Sequence, residues 1–340
     1  MSQQPAKHLL KIAVLGAGSY GTALAVHLAR LHHTVSLWGR NRQEMATLAA
    51  DRENKEYLPG VKFPKALTVE PELRAAIISA DHVLVAVPSH ALHAVLRQIA
   101  PMLEPEQGII CAAKGLEPET GKLAHEIAAE VCGAQRNFAM ISGPTFAKEL
   151  GQGLPTAVTV AARDIAFAEL VAHALHGAGF RAYTTDDVIG VEVGGSVKNV
   201  LAIGVGAVDG LGLGANTRAM MLTRGLAEIM RLGEALGGRR ETFMGLAGFG
   251  DLVLTCTDNQ SRNRRLGLAV AQGKTVDEAQ KEIRQVVEGV RVAPEVLRLA
   301  QRHHVEMPIT EQVVRVLKGE ARPVDALLAL ATRPQRSEAD

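Results

Sequence analysis

A short glycine-rich segment near the N-terminus constrains this chain more than any other feature. The β-rich run Lys11–Leu15 leads into the hexapeptide GAGSYG, Gly16 to Gly21, and a helical pattern follows it. The spacing G-x-G-x-x-G between a strand and a helix is the fingerprint of dinucleotide-binding folds. Gly16 allows the tight turn, Gly18 lets backbone amides approach a pyrophosphate, and Gly21 lets the helix and the strand pack closely. The segment therefore predicts a dinucleotide-binding βαβ unit rather than a glycine-rich turn without a ligand.

The first half of the chain continues the alternation of strands and helices. Seven apolar, β-rich runs are separated by helical stretches, and Val83–Val87 is apolar at every position, which is typical of a strand buried on both faces. These runs predict a Rossmann-like, doubly wound α/β domain whose parallel sheet is covered on both faces. They are Lys11–Leu15, Thr34–Trp38, His82–Val87, Gly108–Ala112, Phe138–Ile141, Ala157–Ala161 and Phe180–Tyr183.

The second half has a helical pattern almost throughout. At 340 residues the chain is long enough for two domains. We expect an NAD(P)-binding Rossmann-like domain over 1–187, an all-helical substrate and catalytic domain over 188–330, and a flexible tail over 331–340. The predicted helices are Val188–Val208, Ala215–Leu236, Arg262–Gln272 and Val276–Val287, with shorter segments near Pro294–His303 and Thr310–Lys318.

Composition excludes several classes of function. Lys and Arg number 37 against 36 Asp and Glu, and aromatic residues make up only 3%, so neither global charge nor stacking platforms favour nucleic acid. The three cysteines are widely spaced and the histidines lack a metal-site motif, so we expect no metal and no disulfide framework. The apolar stretch 190–214 is interrupted by charged side chains, which predicts a buried helix rather than membrane insertion. Met1–Lys7 lacks a secretory signal pattern, and a cytoplasmic protein is expected.

The end of the second predicted strand bears on the choice of cofactor. An NAD site usually has Asp or Glu there, which accepts a hydrogen bond from the ribose 2′-hydroxyl. This chain has Leu37-Trp38-Gly39-Arg40 instead, and Arg42 follows. A guanidinium suits a 2′-phosphate, so the sequence predicts NADPH as the cofactor, with NADH as the alternative. Arg40 could also be an exposed cation in a polar turn.

Other candidates follow the remaining strands, because ligands of open parallel sheets bind outside the carboxyl ends of the strands. Lys114 follows the Gly108 run, and Ser142–Ala147 follows the Phe138 run. We expect Ser142 or Gly143 to cap a helix whose first turn contains Pro144, which would place amides towards a ligand.

Lys198 is the unusual residue of the helical half. It lies in a helical segment of small and apolar residues, where a buried ammonium needs a carboxylate partner, a substrate or the loss of its proton. The alternative is a lysine that extends from the edge of the core to solvent.

Two further segments of this half carry polar groups at predicted helix starts. In Gly245–Leu252 a tight glycine-rich loop is expected to deliver Asp251 to a helix start, where it could be only a capping residue. Ser261, Arg262 and Asn263 at the next helix start combine a hydroxyl, a guanidinium and a carboxamide, which suits a substrate phosphate. A solvated basic helix end is the alternative for this second segment.

Taken together, these segments resemble the bacterial-type NAD(P)-dependent glycerol-3-phosphate dehydrogenases over roughly residues 9 to 330. The motifs that carry the resemblance are GAGSYG at 16–21, AKG at 113–115, SGPTFA at 142–147, VKN at 197–199, GFGDL at 248–252 and NQSRN at 259–263.

The resemblance also implies which residues bind the two ligands. On the substrate side it implies Lys114, Gly143, Thr145, Lys198, Asp251, Ser261, Arg262 and Asn263, with Lys198 and Asp251 as catalytic residues. With the glycines of the hexapeptide, it implies that the cofactor is bound by Ser19, Tyr20, Arg40, Lys114, Ala147, Arg262, Val286 and Glu288.

The implied reaction interconverts sn-glycerol 3-phosphate and dihydroxyacetone phosphate with NAD(P), for glycerophospholipid synthesis. Lys198 would donate a proton to the nascent alkoxide while Asp251 orients it, and Lys114 would add positive charge near that oxygen. A related dehydrogenase of a β-hydroxy acid or a sugar-phosphate acid is one alternative, and a non-catalytic NADPH-sensing module is another. The oligomeric state stays open, with a homodimer among the alternatives.

Overall fold

The computed structural model of the protein describes residues 9–335 and 337. They pack into two compact units: the first comprises 9–117 and Lys122–Glu192, and the second comprises Pro118–Gly121 and the residues from Val193 onward. The domain limits 1–187, 188–330 and 331–340 stay predictions. The interpretation of Met1–Lys7 lies outside the described residues, as do residues 336 and 338–340 of the predicted tail.

An eight-stranded sheet forms the centre of the first unit. Its strands are β1 (Lys11–Leu15), β2 (Thr34–Trp38), β3 (Leu67–Val69), β4 (His82–Val85), β5 (Gly108–Cys111), β6 (Phe138–Ser142), β7 (Thr156–Ala161) and β8 (Phe180–Thr185). Their spatial order is β3-β2-β1-β4-β5-β6-β7-β8, so the order reverses between β1 and β4. Dinucleotides bind at such a reversal point, outside the carboxyl ends of the strands.

Helices of the first unit form the layers expected of a doubly wound sheet. They are α1 (Ser19–Arg30), α2 (Arg42–Asp51), α3 (Leu73–Ile78), α4 (Ser89–Ile99), α5 (Ala124–Cys132), α6 (Ala147–Gln152) and α7 (Ile165–Leu175), with a 3₁₀ turn at Ala100–Met102. Helix α1 packs against α6 and α7, and α4 packs against α5. The predicted α/β class is confirmed.

Two features of the sheet differ from the prediction. Strand β7 runs antiparallel to β6, and β8 runs parallel to β7, so the last two strands oppose the first six. The six residues of α6 rise about 9 Å, whereas the five of β6 span about 16 Å, so α6 is too short to return the chain for another parallel strand. Strand β3 was also missed, because three residues do not form a recognisable pattern.

The second unit is helical throughout its described residues from Val193 onward. Helix α8 (Val188–Gly210) is followed by α9 (Gly214–Ala235), α10 (Arg240–Met244), α11 (Asp251–Thr257), α12 (Arg262–Ala271), α13 (Val276–Ile283), α14 (Glu288–Arg302), α15 (Pro308–Leu317) and α16 (Pro323–Ala331). Helix α8 is the one described helix long and apolar enough to cross a membrane, and 94% of its most apolar window is buried inside the protein. The predicted buried helix is therefore confirmed.

The backbones of α8 and α12 come into direct contact. A Cβ atom on Gly267 of α12 would lie 2.0 Å from the carbonyl oxygen of Ile203, and one on Gly206 of α8 would lie 2.2 Å from that of Arg264. Glycine is therefore required on both helices. The guanidinium of Arg264 also binds the carboxylate of Asp209, which fixes α12 against the end of α8.

A buried carboxylate fixes the start of α15. Glu228 of α9 accepts hydrogen bonds from the backbone amides of Ile309 at 2.6 Å and Thr310 at 3.1 Å, and from the Thr310 hydroxyl at 2.9 Å. Burial nevertheless outweighs these donors and raises the pKa of Glu228 to about 7.

Candidate active site

The glycine-rich turn has the geometry of a pyrophosphate cradle. Gly16 has a φ of 120°, and a Cβ on Gly21 would lie 1.9 Å from the Gly16 carbonyl oxygen, so neither position accepts a side chain. A Cβ on Gly18 would meet no protein atom within 4 Å, so the space beside this backbone is open. No side chain caps the start of α1 at Gly18, and its first turn has no acidic residue. The amides of Ser19 and Tyr20 thus suit the phosphates of a dinucleotide.

A residue from outside the hexapeptide supports this turn. The side-chain amide of Asn54, which is buried, donates to the carbonyl oxygen of Ala17 and to the hydroxyl of Thr22, both at 2.9 Å. No local pattern indicated Asn54, because its contact with Thr22 spans more than thirty positions.

The two arginines after β2 differ in their partners. Arg42 forms a salt bridge of 2.7 Å with Glu72. Arg40 is exposed and has no hydrogen bond or ion pair with the described residues. It lies two residues beyond Trp38, whose carbonyl oxygen accepts from the Gly16 amide at 2.8 Å, so Arg40 follows the strand that borders the cradle. Arg40 is therefore the cation that stays available to a ligand.

Lys114 and Gly143 lie together after the ends of β5 and β6. The half-buried ammonium of Lys114 donates to the Gly143 carbonyl oxygen at 3.2 Å and lies 5.8 Å from the centre of the Tyr20 ring. Thr145 follows, with its hydroxyl 3.4 Å from that of Thr156. The first unit thus brings together Tyr20, Lys114 and Gly143, which the sequence placed far apart.

The expected cap in this segment is wrong. Helix α6 begins at Ala147 and its N-cap is Phe146, with no side-chain hydrogen bond to the first turn. Ser142 belongs to β6 and is fully buried, and Gly143 has a φ of 151°, so neither of them begins the helix.

The second unit surrounds Lys198 with polar partners. The Lys198 side chain is 7% exposed and forms an ion pair with Asp251, which is 1% exposed. The ammonium also donates to the Thr255 hydroxyl at 2.9 Å, and that hydroxyl lies 3.4 Å from the Asp251 carboxylate. Lys198 is therefore a buried, oriented cation and not a lysine extending to solvent.

Asp251 reaches this position through a distortion of the helix. Residues Leu246–Gly250 form a π-helical turn that continues directly into α11, and the N-cap position is taken by Gly250. The expected tight loop with Asp251 as a capping residue is therefore wrong. A Cβ on Gly194 of α8 would lie 2.7 Å from the Ala247 carbonyl oxygen, so the turn packs closely against the helix that carries Lys198.

Helix α12 begins where the sequence predicted, but two of its three polar residues have structural partners. Ser261 is the N-cap and accepts from the Arg264 amide at 3.2 Å. Asn263 donates to the Asn199 side chain and accepts from the Gly289 amide, both at 2.9 Å. Asn263 therefore holds Asn199 and the start of α14 in place.

Arg262 differs from its neighbours. Its side chain is half-buried and forms no hydrogen bond or ion pair with the described residues. Burial lowers the pKa of Arg262 below its ordinary value, although the charge of Glu288 opposes this, and a guanidinium stays protonated in either case. Glu288 is the first residue of α14, and Val286 lies exposed just before it.

Comparisons with known proteins agree with this geometry. The family model for the N-terminus of NAD-dependent glycerol-3-phosphate dehydrogenase matches residues 11–168, and the model for its C-terminus matches residues 187–328. The chain belongs to this family. The resemblance predicted from the sequence motifs is thus confirmed.

Individual relatives match the dehydrogenase over nearly its whole length. Glycerol-3-phosphate dehydrogenase [NAD(P)+] of Pseudoalteromonas translucida is 55% identical over 328 residues, which cover 96% of this chain and 98% of the relative. The protein of the same name from Edwardsiella ictaluri is also 55% identical, covering 96% of this chain and 97% of the relative. The crystal structure of glycerol-3-phosphate dehydrogenase from Coxiella burnetii matches with a TM-score of 0.92 at 46% identity, covering 96% of this chain and 99% of that one.

Two polar residues of this dehydrogenase were not among the predicted site residues. Thr255 contacts the Lys198 ammonium. Asn199, which follows Lys198 in the sequence, accepts a hydrogen bond from the side chain of Asn263. Helical spacing from Asp251 places Thr255 one turn away on the same face, and this signal could have identified it.

Proposed function

We propose that the chain catalyses the reversible, NAD(P)-dependent interconversion of sn-glycerol 3-phosphate and dihydroxyacetone phosphate. Membership of the family and the names of relatives with 55% identity support this reaction. The chain is an oxidoreductase that acts on the CH–OH group of its substrate. Supply of the alcohol for glycerophospholipid synthesis, a cytoplasmic location and the roles of the domains over 1–187 and 188–330 belong to the same proposal.

The observation that carries the mechanism is the buried ion pair of Lys198 and Asp251. Reduction of a ketone needs a proton for the oxygen that becomes the hydroxyl, and oxidation needs a base that takes it back. The Lys198 ammonium is the proposed donor. Asp251 and Thr255 fix the position of its nitrogen, so the proton has a defined direction of transfer.

The first unit provides the residues for the cofactor. A bound nicotinamide supplies the hydride when the ketone is reduced and accepts it when the alcohol is oxidised. Gly16, Gly18 and Gly21 shape the cradle for the pyrophosphate, and Ser19 and Tyr20 offer backbone amides. For Lys114, Gly143, Thr145, Ala147, Val286 and Glu288, the proposed ligand contacts rest on the family resemblance.

Arg262 is the proposed anchor for the substrate phosphate. Ser261 and Asn263 are engaged with the protein, so they contribute chiefly by fixing the start of α12. The Arg262 guanidinium and the first amides of this helix remain for an anion. A contact of Arg262 with the substrate phosphate would hold the ketone carbon in position for hydride transfer.

NADPH is the proposed cofactor, with NADH as an alternative. Arg40 supports NADPH because the position after β2 has a guanidinium without a protein partner among the described residues, where an NAD site has a carboxylate. A 2′-phosphate would bind this cation, and a 2′-hydroxyl would gain little from it.

Rates of oxidation for a panel of alcohols with each cofactor test this proposal. The panel contains sn-glycerol 3-phosphate, glycerol, a β-hydroxy acid and a sugar-phosphate acid. We expect turnover of sn-glycerol 3-phosphate above all others. Faster turnover of either acid would assign the chain to a related dehydrogenase, and no turnover of any compound despite NADPH binding would indicate a sensing module.

A further inference from the structure

A cavity of about 330 Å³ lies in the first unit and has no part in the proposed reaction. Ile109 near the start of β5 and Phe138 at the start of β6 line it, together with the N-terminal region of α7. The glycine-rich cradle follows the carboxyl end of β1, and β1, β4, β5 and β6 are parallel. The cavity is therefore at the opposite edge of the sheet from the cradle.

His125 lines the cavity and is paired with the buried carboxylate of Glu192. His125 of α5 donates its backbone amide to Glu192 at 2.9 Å, and its Nδ1 lies 2.5 Å from the same carboxylate. Burial alone would lower the pKa of His125, but the Glu192 carboxylate outweighs it and raises that pKa above its ordinary value. Among the described residues no atom forms a hydrogen bond with Nε2 of this ring.

Two arginines line the same space. Arg136 is held by the carbonyl oxygens of Cys132, Glu104 and Gln107 through Nε and Nη1, which leaves Nη2 without a bond to any described residue. Arg163 has no hydrogen bond or ion pair within the described part of the chain. Its charge acts on His125, and no described carboxylate forms an ion pair with it.

The acidic groups of the lining do not cancel these charges. Asp164 is the one carboxylate that lines the cavity, and its Oδ1 accepts from the Ala166 amide as the N-cap of α7. Glu192 is balanced by His125. Two guanidiniums and one carboxylate therefore line the cavity. Gln135 and Asn137 add neutral polar groups, and Ile109, Phe138 and Val188 form an apolar part of the lining.

We infer that this cavity is a second ligand site, which binds a small organic anion with a phosphate or carboxylate group. Arg163 and Arg136 bind the anionic group, and Nε2 of His125 is a further donor when the imidazole ring is protonated. The apolar wall receives a short carbon chain, and the volume, at the lower end of the range for ligand pockets, limits the ligand to a small molecule. This inference does not rest on the proposed reaction, because it uses none of its residues.

The test uses the ring of His125 as a reporter in the cavity itself. The whole enzyme is labelled with [¹³Cε1]histidine, and the His125 signal is assigned by its absence in His125→Gln. Butyl phosphate, butyrate, inorganic phosphate and 1-butanol are titrated at constant pH and ionic strength. We expect saturable shifts of the His125 signal with butyl phosphate and butyrate, a weaker response to inorganic phosphate, and none with 1-butanol.

Three variants make the result specific. Arg163→Gln should weaken binding of butyl phosphate by about tenfold or more, as loss of a charged contact does. Ala129→Leu should also weaken binding of butyl phosphate, because the larger side chain fills the cavity while every charged residue is unchanged. Arg74→Gln removes an exposed arginine of α3 that does not line the cavity, and it should change nothing. Dehydrogenase activity serves as the folding control for all three.

The proposal is overturned if the His125 signal shows no saturable shift up to about 50 mM butyl phosphate, a limit that excludes all but negligible affinity. Equal affinity in Arg163→Gln and Arg74→Gln would also overturn it. If 1-butanol produced the same shift as butyl phosphate, the cavity would be an apolar pocket and not an anion site.

Discussion

Replacement of Lys198 by methionine should separate the contribution of the ion pair to folding from its contribution to catalysis. Lys198→Met keeps most of the side-chain volume but leaves the Asp251 carboxylate, only 1% exposed, without its cation. Removal of one partner from a buried ion pair typically costs about 3–5 kcal/mol. Loss of a general acid lowers kcat by about 10²–10⁴-fold.

The structure narrows the expected loss of stability. The Thr255 hydroxyl lies 3.4 Å from the Asp251 carboxylate and is released from Lys198 in this variant, so it can turn to donate to the carboxylate. A hydrogen bond to a charged group contributes about 1.5–3 kcal/mol, which offsets part of the loss. We therefore expect a destabilisation near the lower limit, about 3 kcal/mol.

The double variant Lys198→Met with Asp251→Asn is the matched control. It removes both charges, so stability should return to within about 1 kcal/mol of the wild-type enzyme. Its activity should stay as low as that of the single variant, because no proton donor is restored. Urea unfolding measures the stability, initial rates with dihydroxyacetone phosphate measure kcat, and fluorescence titration confirms that NADPH still binds.

Either of two results would refute this account. Turnover of Lys198→Met within about tenfold of the wild-type rate would show that another group donates the proton. A double variant as unstable as the single one would show that the loss comes from packing around residue 198 and not from an unpaired charge.

Three other changes test separate parts of the molecule. Arg40→Asp should raise KM for NADPH by about tenfold and leave KM for NADH nearly unchanged. Tenfold is the lower end for a charged contact, and it is expected because Arg40 is exposed. Equal effects on both cofactors would exclude a contact with the 2′-phosphate. Arg262→Ala should lower kcat/KM for dihydroxyacetone phosphate, measured at saturating cofactor, by an amount that corresponds to a loss of about 2–3 kcal/mol of transition-state stabilisation. The same change should have little effect on kcat/KM for unphosphorylated dihydroxyacetone. For Glu228, a folded-state pKa of about 7 against 4.5 means that its stabilising effect is complete below about 4.5 and is lost as the pH rises through 7. Urea unfolding at a series of pH values should show that the free energy of unfolding declines by about 3 kcal/mol over this range in the wild-type enzyme and not in Glu228→Gln.

Sequence patterns identified most of the architecture because the buried strands leave strong local signals. The runs at Lys11–Leu15 and Thr34–Trp38 were predicted with their observed ends, since each is a short β-rich segment that ends at a glycine, Gly16 or Gly39. The local sequence pattern was insufficient where contacts between distant residues determine where an element begins. Helix α14 was expected to begin near Pro294, but it begins at Glu288 and contains the proline, because Val292, Val296 and Leu299 form a buried face.

The same distinction applies to the candidate site. Lys198 was predicted because a charge in an apolar helix is a local anomaly. The contact of Lys198 with Thr255 spans 57 positions, and only the helical spacing of Thr255 from Asp251 hints at it. The support of the glycine-rich turn by Asn54 joins residues 32 or more positions apart, and no periodicity marks that contact. The π-helical turn before Asp251 was missed for a similar reason, since its glycines fit a loop equally well and only packing against α8 selects the turn.

The contact of α8 and α12 through Gly206 and Gly267 limits how this enzyme can be altered. With main chain touching main chain, there is no layer of side chains between these helices that could be enlarged or reduced to change their spacing. The helices that carry Lys198 and Arg262 therefore keep a fixed distance from each other at this contact. Selection for longer or bulkier substrates should thus yield substitutions outside the contact of α8 and α12. Libraries that randomise Gly206 and Gly267 should contain mainly unfolded protein.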